Sequence, residues 1–162
     1  LSQFMILCQQ FTIPLLVLCD TPGFMVGPEH ESRGAVRRLS QVFTAAAQLT
    51  VPLVAVVLRK CYGLGAQALL GGSTNKPSYT FAWPTGEFGA MGLEGAVKLG
   101  YKKRLEAETD PVARQAFDTL LAEHYAKGQA QEVASVLEID AVIDPADTRQ
   151  TLLLAFNFTL FP

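Results

Sequence analysis

The residues best suited to chemistry in this chain fall into three short clusters. Asp20 to Phe24 reads Asp-Thr-Pro-Gly-Phe, Tyr62 to Ala66 reads Tyr-Gly-Leu-Gly-Ala, and Trp83 to Glu87 reads Trp-Pro-Thr-Gly-Glu. The middle cluster is the sharpest. A strand that ends in glycines and runs into a helix leaves backbone N–H groups facing outward at the helix's positive end. Such donors bind an anion or stabilise a developing oxyanion, and glycine lets the backbone approach a ligand closely. The same glycines also serve turn geometry alone, as in many strand-to-helix turns. Asp20-Thr21-Pro22-Gly23 matches the DxxG of nucleotide-sensing loops, but the chain has no GxxxxGK[ST] partner loop. A proline-glycine turn is the simpler reading.

Acid, base and nucleophile candidates are scarce. His30 sits between Glu29 and Glu31, as a solvated loop residue does, and His124 falls on a polar helix face. Ser40 and Ser73 have no nucleophile-elbow context, Arg37 and Arg38 suit a solvated helix face, and there is no HExxH or paired-carboxylate pattern. No metal site is expected. An enzyme built this way works through preorganised backbone donors, or with a cofactor that brings its own base.

The elements that must hold these clusters follow an α/β order. Leu1 to Phe11 has helical spacing, and Leu15 to Cys19 is a short, wholly apolar run of the kind covered on both faces in a parallel sheet. Gly34 to Leu49 is helical, Leu53 to Leu58 is a second strand, and a short helix follows the glycine turn up to Leu70. Tyr79 to Trp83 is a third strand ending at Pro84. The three clusters thus sit at the carboxyl ends of successive strands, where open α/β sheets bind ligands. Beyond them the chain turns helical: Leu93 to Leu99, then Asp110 to Lys127 with a cap and a first-turn proline, then segments 133–137, 139–143 and 145–156. One domain over 1–156 with a tail at 157–162 is expected.

Composition narrows the function classes. Apolar residues make up 49% and charged residues 17%, below the roughly 25% charge of ordinary soluble domains. That balance excludes disorder and suits a unit that packs against partners. A net charge of −2 with no basic stripe excludes nucleic acid as the expected partner. Apolar runs are strand-sized, so no membrane span is expected, and no secretory leader is visible. Cys8, Cys19 and Cys61 have no ligand or framework spacing and read as reduced core residues of a cytoplasmic protein. The chain opens on Leu1 in mid-helix, as a piece of a longer protein would.

The segments Ile13 to Phe24, Val51 to Val54, Leu58 to Ala66, Trp83 to Glu87 and Met91 to Val97, in this order and spacing, resemble the carboxyl-terminal carboxyltransferase domain of biotin-dependent acyl-CoA carboxylases. The resemblance covers roughly residues 1–150. It implies a crotonase-like (ClpP-like) fold of repeated ββα units with a mostly parallel sheet and a helical C-terminal part. It also implies transfer of a carboxyl group from carboxybiotin to the α-carbon of an acyl-CoA. This half would take carboxybiotin, while an acyl-CoA-binding N-terminal half of the same subunit type holds the substrate. The backbone amides of Leu64, Gly65 and Ala66 would supply the biotin-side oxyanion hole; which two of the three do so is open, because Leu64 stands between the glycines. Tyr62 and Gly63 would wall the biotin pocket, Asp20, Pro22, Gly23 and Phe24 would shape the cleft, and Trp83 and Glu87 its floor. No Ala-Met-Lys-Met motif is present, so biotin would arrive on a separate carrier domain or chain. Biotin carboxylase, the biotin carrier and a homo-oligomer are the implied partners. A biotin-dependent decarboxylase and a non-catalytic assembly domain are the alternatives.

Overall fold

In the computed structural model, which describes residues 1–102 and 110–160, the sheet is built around one long strand. This is β2, Leu53–Tyr62, and Val54 to Val57 along it are completely buried. Strand β1 (Leu15–Thr21) pairs with it on one side; β3 (Tyr79–Ala82) and β4 (Glu87–Gly89) pair with it on the other. β5 (Ala141–Val142) extends the sheet beyond β3, and every ladder is parallel. Parallel neighbours require crossovers, which the intervening helices provide.

Helices α1 (Ser2–Gln10), α3 (Ala35–Ala47) and α4 (Gly63–Leu69) cover one face of β1 and β2. Met5, Cys8, Val42, Ala45 and Ala46 pack there on Leu15 and Leu53. A short α2, Pro28–Ser32, interrupts the loop after β1. The C-terminal part holds α5 (Leu93–Gly100), α6 (Asp110–Lys127), α7 (Ala130–Ser135), a 3₁₀ turn at Pro145–Asp147 and α8 (Thr148–Leu160). α8 lays Leu152, Ala155 and Phe156 on Val54, Val56 and Phe81 of the opposite sheet face.

Several expectations change in detail. β1 is not covered on both faces: Leu15 and Cys19 are buried, whereas Leu16 is 43% and Leu18 56% exposed. β1 is the sheet edge, and α8, a cylinder about 10 Å wide, covers two strands about 4.8 Å apart but not a third. β2 runs to Tyr62, past the apolar stretch ending at Leu58, because Lys60, Cys61 and Tyr62 find parallel partners in β4. The third strand ends at Ala82, one residue before the expected Trp83. The expected segments 133–137 and 139–143 are α7 at 130–135 and the two-residue β5. The boundary expected at 156 falls inside α8, which continues unbroken to Leu160. The expected cap at Asp110 and the last tail residues 161–162 lie outside the described side chains. All three cysteines are free and buried, as the sequence implied. Among the described residues, no helix is long and apolar enough to cross a membrane.

Candidate functional site

The corner where β2 becomes α4 is built from glycines at defined contacts. Tyr62 is the last extended residue, with φ −113° and ψ 133°, and it caps α4. Gly63 then takes φ +59°, a left-handed value that side chains resist, and a Cβ there would meet the Ala90 carbonyl oxygen at 2.9 Å. A Cβ on Gly65 would lie 2.6 Å from the Gly23 carbonyl carbon and 2.8 Å from the Phe24 nitrogen. The two glycines therefore let two separate loops close directly on the start of a helix whose first N–H groups have no intrahelical acceptors. Leu64 projects outward and is half exposed.

The loop that rests on Gly65 is braced from within. The Thr21 hydroxyl donates to the Gly23 carbonyl at 3.0 Å and accepts from the Gly23 N–H at 3.3 Å. Gly23 itself takes φ +113°. Just upstream, the Asp20 carboxylate accepts the Lys60 backbone N–H at 3.1 Å and both Nε (3.3 Å) and Nη2 (3.1 Å) of Arg59. The Lys60 amide, and then the Arg59 guanidinium, hold this carboxyl below its ordinary pKa. These bonds sit where the β1–β2 register slips, between Cys19↔Val57 and Thr21↔Cys61. Asp20 fastens the irregularity that aims the loop at α4.

A cavity of about 710 Å³ lies against this corner, lined by Gly63, Ala66, Gln67 and Leu70 of α4 and by Cys61, Phe88, Gly89 and Ala90 of the strand ends. Lys127, Gly128, Glu132 and Val133 close it from the C-terminal part. Cys61 offers no nucleophile, because contact with the Cys19 thiol and burial push its pKa up.

Side chains alternate across a strand, so Tyr62 and Glu87 face away from Cys61 and Phe88. On that side the Tyr62 hydroxyl donates to Glu87 Oε2 at 2.8 Å. Burial, then the neighbouring Glu87 carboxylate, raises the Tyr62 pKa. The Tyr125 hydroxyl donates to Glu94 Oε1 at 3.0 Å nearby, which raises the Tyr125 pKa. Glu94 is held below its ordinary value by its own backbone N–H and by Tyr125.

The sequence-predicted residues are thus only partly brought together. Gly63 and Ala66 line the cavity, and Gly65 meets Gly23 and Phe24 backbone to backbone. Phe24 lines a different recess, of about 470 Å³, together with Leu1, His30, Arg38 and Val42. Pro22 is exposed. Trp83 is directed elsewhere: its indole N–H donates to Thr148 Oγ1 at 2.9 Å, and the ring packs with the cluster under α8. Glu87 is engaged by Tyr62. Thr21 falls in the first sequence cluster, where its bracing role was not apparent; the Lys60 amide and Ala90 were missed, having no sequence signal. Among the described residues, no group of three or more His, Cys, Asp or Glu side chains could hold a metal ion.

A family model described as "Carboxyl transferase domain" matches residues 1–160. The chain is 37% identical over 153 residues to the propionyl-CoA carboxylase carboxyltransferase subunit of Haloferax mediterranei, covering 94% of this chain and 29% of that protein. It is 36% identical over 157 residues to the methylmalonyl-CoA carboxyltransferase 12S subunit of Propionibacterium freudenreichii subsp. shermanii, covering 96% and 29% respectively. A solved single-chain, multi-domain long-chain acyl-CoA carboxylase superposes with a TM-score of 0.81 at 51% identity, over 95% of this chain and 15% of that one. The chain therefore spans under a third of the length of the curated relatives it matches. Sequence and fold agree, and the chain belongs to the carboxyl transferase domain family, with its crotonase-like α/β architecture.

Proposed function

We propose that this chain forms the biotin-facing half of an acyl-CoA carboxyltransferase, moving a carboxyl group from carboxybiotin to the α-carbon of an acyl-CoA. The observation that carries the reading is the family match across residues 1–160, with its Tyr-Gly-Leu-Gly-Ala turn folded into a glycine-built helix start beside a cavity. Small residues at Gly63 and Ala66 leave room there for a fused bicyclic ureido ring, and the groups offered at the helix start are backbone donors, which suit a ureido oxygen. Bound carboxybiotin would supply the carboxyl group and, after losing it, a basic nitrogen for the α-proton.

The chain's own part is to bind and to stabilise charge. Amides among Leu64, Gly65 and Ala66 hold the ureido oxygen as negative charge grows on it, a type of contact worth about 3 kcal/mol of transition-state energy per donor. The Asp20 to Phe24 loop keeps those amides in place by its contact with Gly65. No acid or base side chain is required. The acyl-CoA pocket, the biotin carboxylase and carrier partners, and a cytoplasmic homo-oligomer belong to the same proposal.

The test is carboxyl transfer by the natural protein that carries this sequence, supplied with biotinylated carrier, biotin carboxylase, bicarbonate, ATP and a panel of acyl-CoAs. Carboxylation of at least one acyl-CoA supports the reading. No carboxylation of any, with decarboxylation of a malonyl- or methylmalonyl-type thioester instead, replaces it with the reverse reaction.

A further inference from the structure

Tyr62 has an unusual position: it is at once the last residue of β2, the cap of α4 and a nearly buried phenol, 3% exposed. Its neighbour across the β2–β4 ladder is Gly89, and a Cβ there would lie 3.3 Å from Tyr62 Cδ1. The missing side chain lets the ring lie across β4 and reach Glu87, two residues back along that strand, at 2.8 Å. The ladder it crosses has only three pairs, Lys60↔Glu87, Cys61↔Phe88 and Tyr62↔Gly89. One residue further on, Gly63 rests against the Ala90 carbonyl. The β2–α4 corner is therefore held to β4 at two points, one a backbone contact and the other a bond to a charged acceptor.

We infer that Glu87 is a positioning residue: it holds the Tyr62 phenol and so fixes the orientation of the α4 start, rather than contacting a ligand itself. The inference rests on the function proposed above only for its kinetic consequence. Tyr62 and Glu87 face away from the cavity wall formed by Cys61 and Phe88, which leaves Glu87 no part in that wall. A bond of this kind, lying off the cavity wall, acts on geometry, and small misplacements of catalytic donors lower turnover.

The test uses Tyr62→Phe, Glu87→Ala, the double variant and Glu87→Gln in the natural protein that carries this sequence. Two readouts are followed: carboxyl-transfer kinetics, and amide hydrogen exchange of the peptide spanning Gln67 to Gly71, whose Leu70 and Gly71 N–H groups bond the Ala66 and Ala68 carbonyls of α4. Each single variant is expected to lower kcat about tenfold, the effect of one lost charge-assisted hydrogen bond, with KM for acyl-CoA unchanged. The double variant is expected to be no worse than either single one, because both remove the same contact. Glu87→Gln, which keeps an acceptor oxygen, recovers most of the rate. Exchange in the Gln67 to Gly71 peptide accelerates equally in Tyr62→Phe, Glu87→Ala and the double variant. A roughly hundredfold loss in the double variant, or a Glu87→Ala defect with unchanged exchange, overturns the inference. If the wild-type protein transfers no carboxyl group, the functional reading fails and the exchange pattern alone decides this one. Should Glu87→Ala not fold, Glu87→Met, which removes the acceptor at similar volume, takes its place in the cycle.

Discussion

Replacing Gly65 by alanine adds one methyl group at the tightest backbone contact of the candidate site. The new Cβ would stand 2.6 Å from the Gly23 carbonyl carbon, 2.8 Å from the Phe24 nitrogen and 2.9 Å from Gly23 Cα. Ordinary carbon–carbon contact needs about 3.5 Å, so the loop must retreat by about 1 Å or α4 must tilt by as much. Nothing flexible can absorb the clash, because all three atoms are main chain. Overpacking of this kind costs about 1–3 kcal/mol of stability, and the better helix propensity of alanine returns at most about 1 kcal/mol. A displacement of about 1 Å in a donor also costs on the order of 100-fold in turnover. Gly65→Ala is therefore expected to lower carboxyl transfer about 100-fold while acyl-CoA affinity, measured by calorimetry, stays within twofold. Urea unfolding of the same variant reports the stability loss separately. Wild-type turnover in Gly65→Ala, or an equal fall in acyl-CoA affinity, would refute the assignment of this turn to the biotin side.

Trp83→Phe removes the bond to Thr148 and is expected to cost about 1 kcal/mol in urea unfolding, with the transfer rate per folded molecule unchanged. A rate loss larger than the stability loss would return Trp83 to the site. Asp20 has a depressed folded-state pKa, so its stabilising contribution is present above the unfolded value of about 3.9 and lost as pH falls through the folded value. Asp20→Asn should make the stability curve flatter below pH 4 and leave its shape near neutrality unaltered; an identical acid limb in both proteins would remove Asp20 as its source. Leu16 and Leu18 form an apolar strip on the exposed face of β1, and the chain is expected to self-associate at micromolar concentration. Light scattering of Leu16→Lys with Leu18→Lys should show a shift towards monomer, and a wild-type chain that is already monomeric contradicts the expectation.

The parts of the site that were legible in the sequence are those carried by local backbone demands. Gly63 needs a left-handed φ, and Gly65 has to admit a neighbouring backbone; both show as glycines between a strand and a helix. The parallel sheet was legible for a similar reason, since runs such as Leu53 to Leu58 suit burial on two faces. The edge position of β1 was not, because Leu15 to Cys19 has the same composition as a central strand and only the reach of α8 distinguishes them. β4 escaped notice because Glu-Phe-Gly is too short to show a period, and it is a strand only by virtue of Lys60 to Tyr62 beside it. Trp83 and Glu87 looked like neighbours in one cluster. The turn between them, with the Gly86 N–H donating to the Trp83 carbonyl at 2.9 Å, sends one side chain under α8 and the other to Tyr62.

That same turn has a consequence for how the domain tolerates insertions. β3 and β4 lie end to end along one side of β2, matched to Val54–Val57 and to Lys60–Tyr62 respectively. Between them the Trp83 N–H bonds the Val57 carbonyl at 2.9 Å, and the Thr85 hydroxyl takes up the Leu58 carbonyl at 2.6 Å. Residues 83–86 behave as an expansion joint in the sheet. A residue added or removed there can be taken up as a bulge without moving either set of pairs out of step, because the unbroken β2 sets the spacing of both segments. The distance between the buried centre of the sheet and the α4 corner is set by β2 alone, so a change of length in residues 83–86 is absorbed at the sheet surface while the corner and the core under α8 keep their places.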